Sequence, residues 1–136
     1  MGAETTFPAS PRELLGLVDS CESLLQCTDP ERAIVAAAVL ADDGRVFTAL
    51  HVRSHNCSHC SVCAEAVAIG MAVTAGAVSL VAAVSVVRGN GTFRVWSPCG
   101  GCRELLRDHG VVQVIVARTP DGGLATATPN ELLPWP

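Results

Sequence analysis

The stretches that decide how this chain folds are CAE at residues 63–65 and SPCGGCR at residues 97–103. Together they supply one carboxylate, that of Glu65, and three thiols: Cys63, Cys99 and Cys102. Cys99 and Cys102 are three residues apart, so on a helix they project from one face and can bind one ion. Zinc held by three protein ligands keeps a fourth position open for water and lowers the pKa of that water towards neutrality. The two stretches therefore predict a zinc site beside which Glu65 can shuttle a proton.

Length and composition indicate one globular domain over residues 1–136. The chain is 49% apolar and 16% charged, which is typical of a folded protein with a real core. No apolar run approaches the roughly 20 residues that cross a bilayer, so no membrane partner is expected. The net charge of −4 argues against a nucleic-acid surface.

The N-terminal sequence predicts a cytoplasmic protein, and that location bears on how the cysteines are interpreted. The first residues show no basic region followed by an apolar core, so they do not resemble a secretory signal. Seven cysteines in a reducing compartment are better explained by metal ligands than by a disulfide framework.

Hydrophobic periodicity and turn residues predict alternating helices and strands. The helices are expected from Ser10–Pro11 to about Cys27, from Cys63 to about Thr74, over 101–109, and as a terminal turn at 130–133. The strands are expected over 34–40, 45–52, 78–87, 111–117 and 124–127, with turns at 42–44, 90–91 and 121–123. This order predicts a sheet covered by helices on both faces.

At residues 63–65 and 98–102 the chain resembles the zinc-dependent cytidine deaminase superfamily, whose signature is (His or Cys)-Ala-Glu followed by Pro-Cys-X-X-Cys. Cys63 at the first ligand position makes the chain similar to the small cytidine deaminase and blasticidin S deaminase branch. The likeness covers roughly Ile34 to Trp135. It implies an α/β protein with a three-layer α/β/α cytidine-deaminase-like fold and a mixed five-stranded sheet, assembled as a homotetramer or, alternatively, a dimer.

The resemblance also implies a role for each motif residue. Cys63, Cys99 and Cys102 would bind Zn²⁺. Glu65 would take a proton from the water at the zinc, pass it to a ring nitrogen of the substrate, and protonate the amine that leaves as ammonia. The backbone carbonyl of Ser97 would contact that amine, and N–H groups around Ala64 would hold the ring carbonyl.

Three positions depart from the cytidine deaminase pattern. Where that family carries Asn-X-Glu to bind ribose hydroxyls, the chain has His51 and Arg53. A guanidinium cannot accept a hydrogen bond from a hydroxyl, but it can bind a carboxylate or phosphate through two bonds. The Phe that faces the pyrimidine in cytidine deaminases falls near Ala33. The expected substrate is therefore a small aminopyrimidine nucleoside or nucleoside-like compound other than standard cytidine.

The polar segment 54–62 is interpreted as a substrate-specific loop. Its cysteines, Cys57 and Cys60, are expected to be free loop thiols that can line the pocket. Alternatively, Cys57, Cys60 and Cys63 form Cys-X-X-Cys-X-X-Cys, which could belong to a structural four-cysteine zinc site that also draws on Cys99 and Cys102. Such a structural site would have no use for Glu65.

Several functions remain open on the sequence. The leading hypothesis is hydrolytic deamination of the exocyclic amine of a free aminopyrimidine nucleoside. The alternatives are deamination of a larger amino heterocycle such as a purine, and a non-catalytic zinc protein of the same fold. Deamination of single-stranded nucleic acid is disfavoured by the charge and by the lack of a basic groove lined with aromatic residues.

Overall fold

The computed structural model describes residues 8–118 and 123–133, and its first helix begins where the sequence predicts. Helix α1 spans Pro11–Gln26 and ends at Cys27. The Ser10 hydroxyl accepts a hydrogen bond from the Glu13 N–H at 3.2 Å, and the Glu13 carboxylate accepts one from the Ser10 N–H at 3.0 Å. This reciprocal capping box satisfies two N–H groups that the helix itself cannot pair. The buried residues of α1 recur every fourth position: Leu17, Cys21 and Leu25.

The predicted hairpin is confirmed. Strand β1, Val35–Ala41, pairs antiparallel with β2, Val46–Leu50. Gly44 in the turn has φ +91°, a left-handed conformation that favours glycine. The Asp43 carboxylate holds the turn by accepting hydrogen bonds from the Arg45 backbone and side chain at 3.1 and 2.8 Å.

The remaining helices and strands follow the predicted order, apart from one strand, the fourth, that the sequence did not predict. They are α2 Ala64–Thr74, β3 Leu80–Gly89, β4 Thr92–Val95, α3 Gly100–Asp108, β5 Gln113–Ala117, β6 Leu124–Ala127 and α4 Pro129–Leu132. A short 3₁₀ turn, Ser58–Cys60, precedes α2. Part of the predicted turn at 121–123, together with Trp135, lies outside the described residues.

The prediction of five strands is wrong, because β4 makes a sixth. Asn90 and Gly91 both have positive φ, 47° and 79°, which suits a two-residue hairpin turn rather than the end of a strand region. The chain therefore returns along β3, and Val86 pairs with Val95. With four residues and two partly buried side chains, Phe93 and Val95, β4 has too weak a period-two pattern to stand out in the sequence.

The sheet is mixed, with the strand order β2-β1-β3-β5-β6 and β4 attached to β3. Among the strand pairs in the described residues, β3 and β5 run parallel, and the other pairs are antiparallel. Val86 and Val87 pair with β1 on one side and with β4 on the other. Since β5 pairs with Ala82 and Ala83, β4 continues the same side of β3 beyond the end of β5.

Two apolar clusters cover opposite faces of the sheet, which confirms the three-layer α/β/α arrangement. On one face, α1 packs against Ala36, Ala38, Val84 and Val86. The other face is covered by α2 and α3 through Ala68, Ile69, Ala72 and Leu106, packed on Val39, Ala49, Ala83 and Val114. Among the described residues, no helix is both long and apolar enough to cross a membrane. The N-termini of α2 and α3 come together on the second face, and they form the site described next.

Candidate metal centre and its pocket

Two helix N-termini bring the three motif cysteines together. Cys63 is the residue that caps α2, and Cys99 is the residue that caps α3, both in extended backbone conformation. Cys102 lies in the first turn of α3 and is buried. The three sulfur atoms all lie within 4.8 Å of one another. The positive ends of two helix dipoles therefore face a cluster that becomes negatively charged when its thiols ionise.

The geometry and chemistry of this cluster fit zinc. The Sγ atoms of Cys63 and Cys99 are 3.7 Å apart. In a tetrahedral site with Zn–S bonds of about 2.3 Å, neighbouring sulfurs lie about 3.8 Å apart. In the part of the chain that the structure describes, the group contains three ligating side chains. This is the number found in catalytic zinc sites, where a fourth position is left for water or substrate.

The thiols differ in how readily they ionise. Burial, followed by the charge of Glu65, raises the pKa of Cys102 far above its usual range. Burial also raises the pKa of Cys63, to a smaller extent. Burial acts in the same direction on Cys99, but hydrogen bonds from the Cys102 backbone N–H and from the two other thiols bring its pKa below the ordinary value. Metal binding must therefore displace protons, and the affinity of the cluster for zinc falls as the pH is lowered.

Glu65 lies beside the cluster without belonging to it. It is the second residue of α2 and only 5% exposed. Its charge raises the pKa of both Cys63 and Cys102, so the carboxylate is close enough to the sulfurs to act on them. A carboxylate in the first turn of a helix is also stabilised by the helix dipole.

A pocket of about 200 Å³ opens onto the cluster. It is lined by Val35, His51, Ser61, Val62, Cys63, Ala64, Glu65, Trp96, Ser97 and Cys99. Three of the four residues predicted to bind substrate are in this lining, namely His51, Ala64 and Ser97. Arg53 is exposed and lies outside the lining.

His51 is held in one tautomer at the pocket wall. Its Nε2 atom accepts a hydrogen bond from the Ile34 N–H at 3.1 Å, so the proton of the neutral ring is on Nδ1. Burial, and then the positive charge of Arg53, lowers the pKa of His51. At neutral pH the ring is therefore uncharged, although a cation lies nearby.

The family profile described as "Cytidine and deoxycytidylate deaminase zinc-binding region" matches residues 16–118. The chain belongs to this deaminase family. The blasticidin-S deaminase of Bacillus cereus is 31% identical over 134 residues, which cover 95% of this chain and 94% of that protein. A cytidine deaminase of Mycobacterium tuberculosis is 38% identical over 87 residues, 62% of this chain and 61% of the relative.

Solved structures of cytidine deaminases share the fold. A variant of the Mycobacterium tuberculosis enzyme superposes with a TM-score of 0.70 at 28% identity, covering 90% of this chain and 92% of the other. The cytidine deaminase of Bacillus anthracis gives a TM-score of 0.76 at 24% identity, with 89% and 86% covered. Membership of this zinc-binding deaminase family agrees with the three-thiol cluster, and zinc is the cofactor.

One prediction about cysteines in this deaminase chain is wrong. Cys57 and Cys60 are not free thiols but are joined by a disulfide, and neither lines the pocket. The 3₁₀ turn between them brings their Cα atoms to 5.3 Å, a separation that suits a disulfide. Because both sulfurs are used in this bond, they are not donors for a four-cysteine zinc site. The structure therefore disfavours that alternative.

Segment 54–62 is nevertheless continuous with the pocket. Val52 and Val62 form an isolated antiparallel bridge, with N···O distances of 2.9 and 2.8 Å. The Ser61 hydroxyl accepts a hydrogen bond from the Ser54 N–H at 3.1 Å. These contacts tie the two ends of the segment together, so its C-terminal end supplies Ser61 and Val62 to the pocket wall.

Two further residues shape the site, and the first of them was missed in the sequence. Trp96 lines the pocket, and the available signal was its position directly before the Ser-Pro-Cys motif. Arg103, the last residue of the SPCGGCR stretch, uses its guanidinium to hold carbonyl groups. Its Nε donates to the Pro98 carbonyl at 2.8 Å, and another nitrogen donates to the Leu132 carbonyl at 2.6 Å. Arg103 thereby fixes the segment that carries Cys99 against α4.

Proposed function

We propose that this chain is a hydrolytic deaminase that removes an exocyclic amine, as ammonia, from a free aminopyrimidine nucleoside or a nucleoside-like compound. The observation that carries the proposal is Glu65, a buried carboxylate that lies in the pocket beside three thiols but outside the metal-ligating group. A purely structural zinc site has no use for such a carboxylate. The relatives named blasticidin-S deaminase and cytidine deaminase support this class of reaction.

The proposed metal ligands are Cys63, Cys99 and Cys102. When bound, zinc supplies Lewis acidity, which lowers the pKa of water and makes it a nucleophile at neutral pH. Glu65 takes one proton from the attacking water and delivers it to a ring nitrogen of the substrate. It then transfers a second proton to the amine, which leaves as ammonia while the ring carbon keeps the oxygen.

Backbone groups at the two helix N-termini orient the substrate in this mechanism. The Ser97 carbonyl accepts a hydrogen bond from the exocyclic amine, and the N–H groups around Ala64 donate to the ring carbonyl. Both residues line the pocket. Free N–H groups at the first turn of a helix suit an oxygen that carries negative charge.

We infer that the substrate is not standard cytidine. His51 lines the pocket as an uncharged ring and Arg53 places a positive charge beside it. This pair does not reproduce the Asn-X-Glu that binds ribose in cytidine deaminases. Acidic substituents on the sugar should improve turnover, and Arg53→Glu should abolish that advantage. Equal activity on neutral and anionic analogues would refute the role given to Arg53.

A panel of amines screened for ammonia release tests the proposed reaction. The zinc-loaded protein is incubated with cytidine, blasticidin S, a carboxylated cytosine nucleoside, adenosine and guanine. We expect release from at least one pyrimidine. In Glu65→Gln turnover should fall by about 10²- to 10⁴-fold, the usual contribution of general acid–base catalysis, with one zinc per chain retained.

The matched control is Glu104→Gln. Glu104 is an exposed carboxylate on α3 that pairs with Arg107, so its neutralisation should leave turnover unchanged. Full activity of Glu65→Gln would sink the mechanism. Ammonia release from none of the amines by a zinc-loaded protein would favour a non-catalytic member of the family. Ammonia release from adenosine or guanine alone would favour the alternative function, the deamination of a larger amino heterocycle such as a purine.

Family resemblance leads us to propose a homotetramer, with a dimer as the alternative. Helix α2 supports association, because its sequence AEAVAIGMAVT is apolar on nearly every side. One face covers the sheet, while Met71 and Val73 stay 43% and 50% exposed. A helix that is apolar all round is normally buried. Sedimentation equilibrium should give four times the chain mass of 14.1 kDa; a monomer at all concentrations would contradict the assembly. We propose a cytoplasmic location for the chain.

A further inference from the structure

Trp96 has a position in the pocket that the proposed reaction leaves unused. It directly follows β4 and is 52% exposed, a large apolar surface for a residue that lines a pocket. Its backbone N–H donates to the Ser85 carbonyl at 2.8 Å, which places Trp96 opposite Ser85 in the sheet. The backbone of Trp96 is therefore anchored while its side chain remains open to solvent.

The register of the sheet shows which face carries this ring. Ser85 pairs with Ala37 of β1, and residues directly opposite each other share a face. By the alternation of side chains along β1, Ala37 is on the same face as Val39, which packs under α2. The indole of Trp96 thus projects on the α2 side of the sheet, the side on which Glu65 and the three thiols lie.

The pocket offers no other carbocyclic aromatic surface among its lining residues. The chain has no Tyr and three Phe. Of these, Phe47 and Phe93 pack against the two apolar clusters, and the third, Phe7, lies outside the described residues. Within the described residues, which include neither Phe7 nor Trp135, a planar heterocycle that enters this pocket therefore has one indole available for stacking.

Arg94 restrains the indole and adds charge at the same place. Two residues before Trp96 along the chain, it shares the same face of the sheet, and its guanidinium carbon lies 5.9 Å from the ring centroid. That distance is within the range of a cation–π contact. The contact limits the rotamers of Trp96, so less conformational entropy is lost when a ligand stacks on the ring.

We propose that Trp96 is the stacking surface for the pyrimidine ring of the substrate. This inference rests on the proposed function, since it takes an aminopyrimidine as the ligand. Trp96 binds and orients the ring; it does not transfer protons. Any base can stack on an aromatic side chain, because every base has a π face, and the stacking is lost when the aromatic ring is removed.

The test measures binding without turnover. Cytidine and blasticidin S are titrated calorimetrically into zinc-loaded Glu65→Gln, with and without a second substitution at position 96. Trp96→Leu should raise the Kd of at least one probe by about 5- to 150-fold, the usual cost of losing base stacking. Trp96→Phe keeps a ring and should raise the Kd by no more than about threefold.

A ring-saturated ligand provides the matched control for stacking. Tetrahydrouridine has a pyrimidine ring without aromatic character, so Trp96→Leu should weaken its binding much less than that of cytidine or blasticidin S. Zinc content and subunit mass are measured for every variant. A merely structural or interfacial role for Trp96 would change these quantities, whereas stacking leaves them unchanged.

Several outcomes would overturn the proposal. The first is a Kd of Trp96→Leu within twofold of that of the parent, and the second is an equal loss of affinity in Trp96→Phe and Trp96→Leu. The third is an equal loss of affinity for the saturated and the aromatic ligands in Trp96→Leu. An altered subunit mass, or no binding of either probe to the parent, would also overturn it. The failure of the proposed reaction looks different. In that case the chain with Glu65 intact binds the ring through Trp96 but releases no ammonia.

Discussion

At the scale of single residues, the electrostatics of the pocket depend on His51 and Arg53. The ring of His51 accepts a hydrogen bond from a backbone N–H and so is fixed as an uncharged donor through Nδ1. Burial is the larger cause of its lowered pKa, and Arg53 is the second. The exposed guanidinium therefore acts on the site through its electrostatic field, and a substrate anion near Arg53 would raise the pKa of His51 by offsetting that field.

We expect Arg53→Gln to raise the pKa of His51 towards its ordinary value. Removing the cation takes away the repulsion that opposes protonation, while the burial of the ring remains. A pH titration followed by NMR of the histidine ring protons measures the change. The difference should shrink in high salt because Arg53 is exposed. An unchanged pKa of His51 would show that Arg53 does not influence it.

The lowered pKa of His51 also determines the direction in which the stability of the fold changes with pH. Because the pKa of His51 is lower in the folded chain than the ordinary 6.5, the unfolded chain takes up this proton first as the pH falls. Stability contributed by the neutral ring is therefore lost as the pH drops below about 6.5. The loss should be smaller in Arg53→Gln than in the unaltered chain, as measured by urea denaturation at pH 7.5 and 5.5. An equal loss in both chains would contradict the linkage.

At the scale of elements, Arg88 of β3 joins the sheet to the C-terminal end of α1. Its guanidinium donates to the carbonyls of Leu25 and Thr28, the former through a short contact. It also lies 5.6 Å from the ring centroid of Phe93 in β4. A cation at the end of a helix satisfies carbonyls that the helix leaves unpaired and interacts favourably with its dipole.

Arg88→Met should destabilise the fold by about 2–3 kcal/mol, because it removes charged hydrogen bonds to partly buried carbonyls. The matched control is Arg107→Met, which breaks an exposed pair with Glu104 and should cost less than about 1 kcal/mol. Urea denaturation gives both values. Equal losses in the two variants would mean that Arg88 does not stabilise the helix end.

The elements also show what the sequence can and cannot predict. Helix α1 is predictable because Ser10, Pro11 and Glu13 form a local capping signal. Strand β4 is not, because its four residues gain their stability from pairing with β3, a tertiary contact that composition does not reveal. Missing β4 also concealed Trp96, since its place in the pocket depends on the register of that hairpin.

The site also combines features that the sequence predicts with features that it does not. The motif fixes which thiols and which carboxylate should meet, and the structure brings them together across 36 residues. The disulfide between Cys57 and Cys60 was missed because the predicted reducing compartment argued against it. Arg103 belongs to the same motif, but its hydrogen bond to the Leu132 carbonyl could not be predicted, because only the fold brings that segment close to it.

At the scale of the whole molecule, the zinc site joins parts of the chain that the core already holds. The cluster under α2 and α3 is built from apolar side chains and includes none of the three cysteines. Zinc at Cys63, Cys99 and Cys102 would add a further link between the two helix N-termini. The metal should therefore raise stability without being required for folding, unlike the metal of a zinc finger.

Removal of zinc by a chelator should lower the midpoint of thermal unfolding by roughly 10–20 °C, equivalent to about 4 kcal/mol for a metal present at a thousand times its Kd. The far-UV circular dichroism at 20 °C should remain that of a folded chain. Cys99→Ser should abolish the response to the chelator, whereas Cys27→Ser, an exposed thiol outside the cluster, should retain it. Complete unfolding on chelation would contradict this account.

The central claim is that three thiolates hold zinc and leave one position for the attacking water. X-ray absorption spectroscopy at the zinc edge of the loaded protein tests it most directly. We predict three sulfur neighbours at about 2.3 Å and one oxygen neighbour at about 2.0 Å. Four sulfur neighbours would show a closed structural site, in which Glu65 has no water to activate, and would contradict the claim.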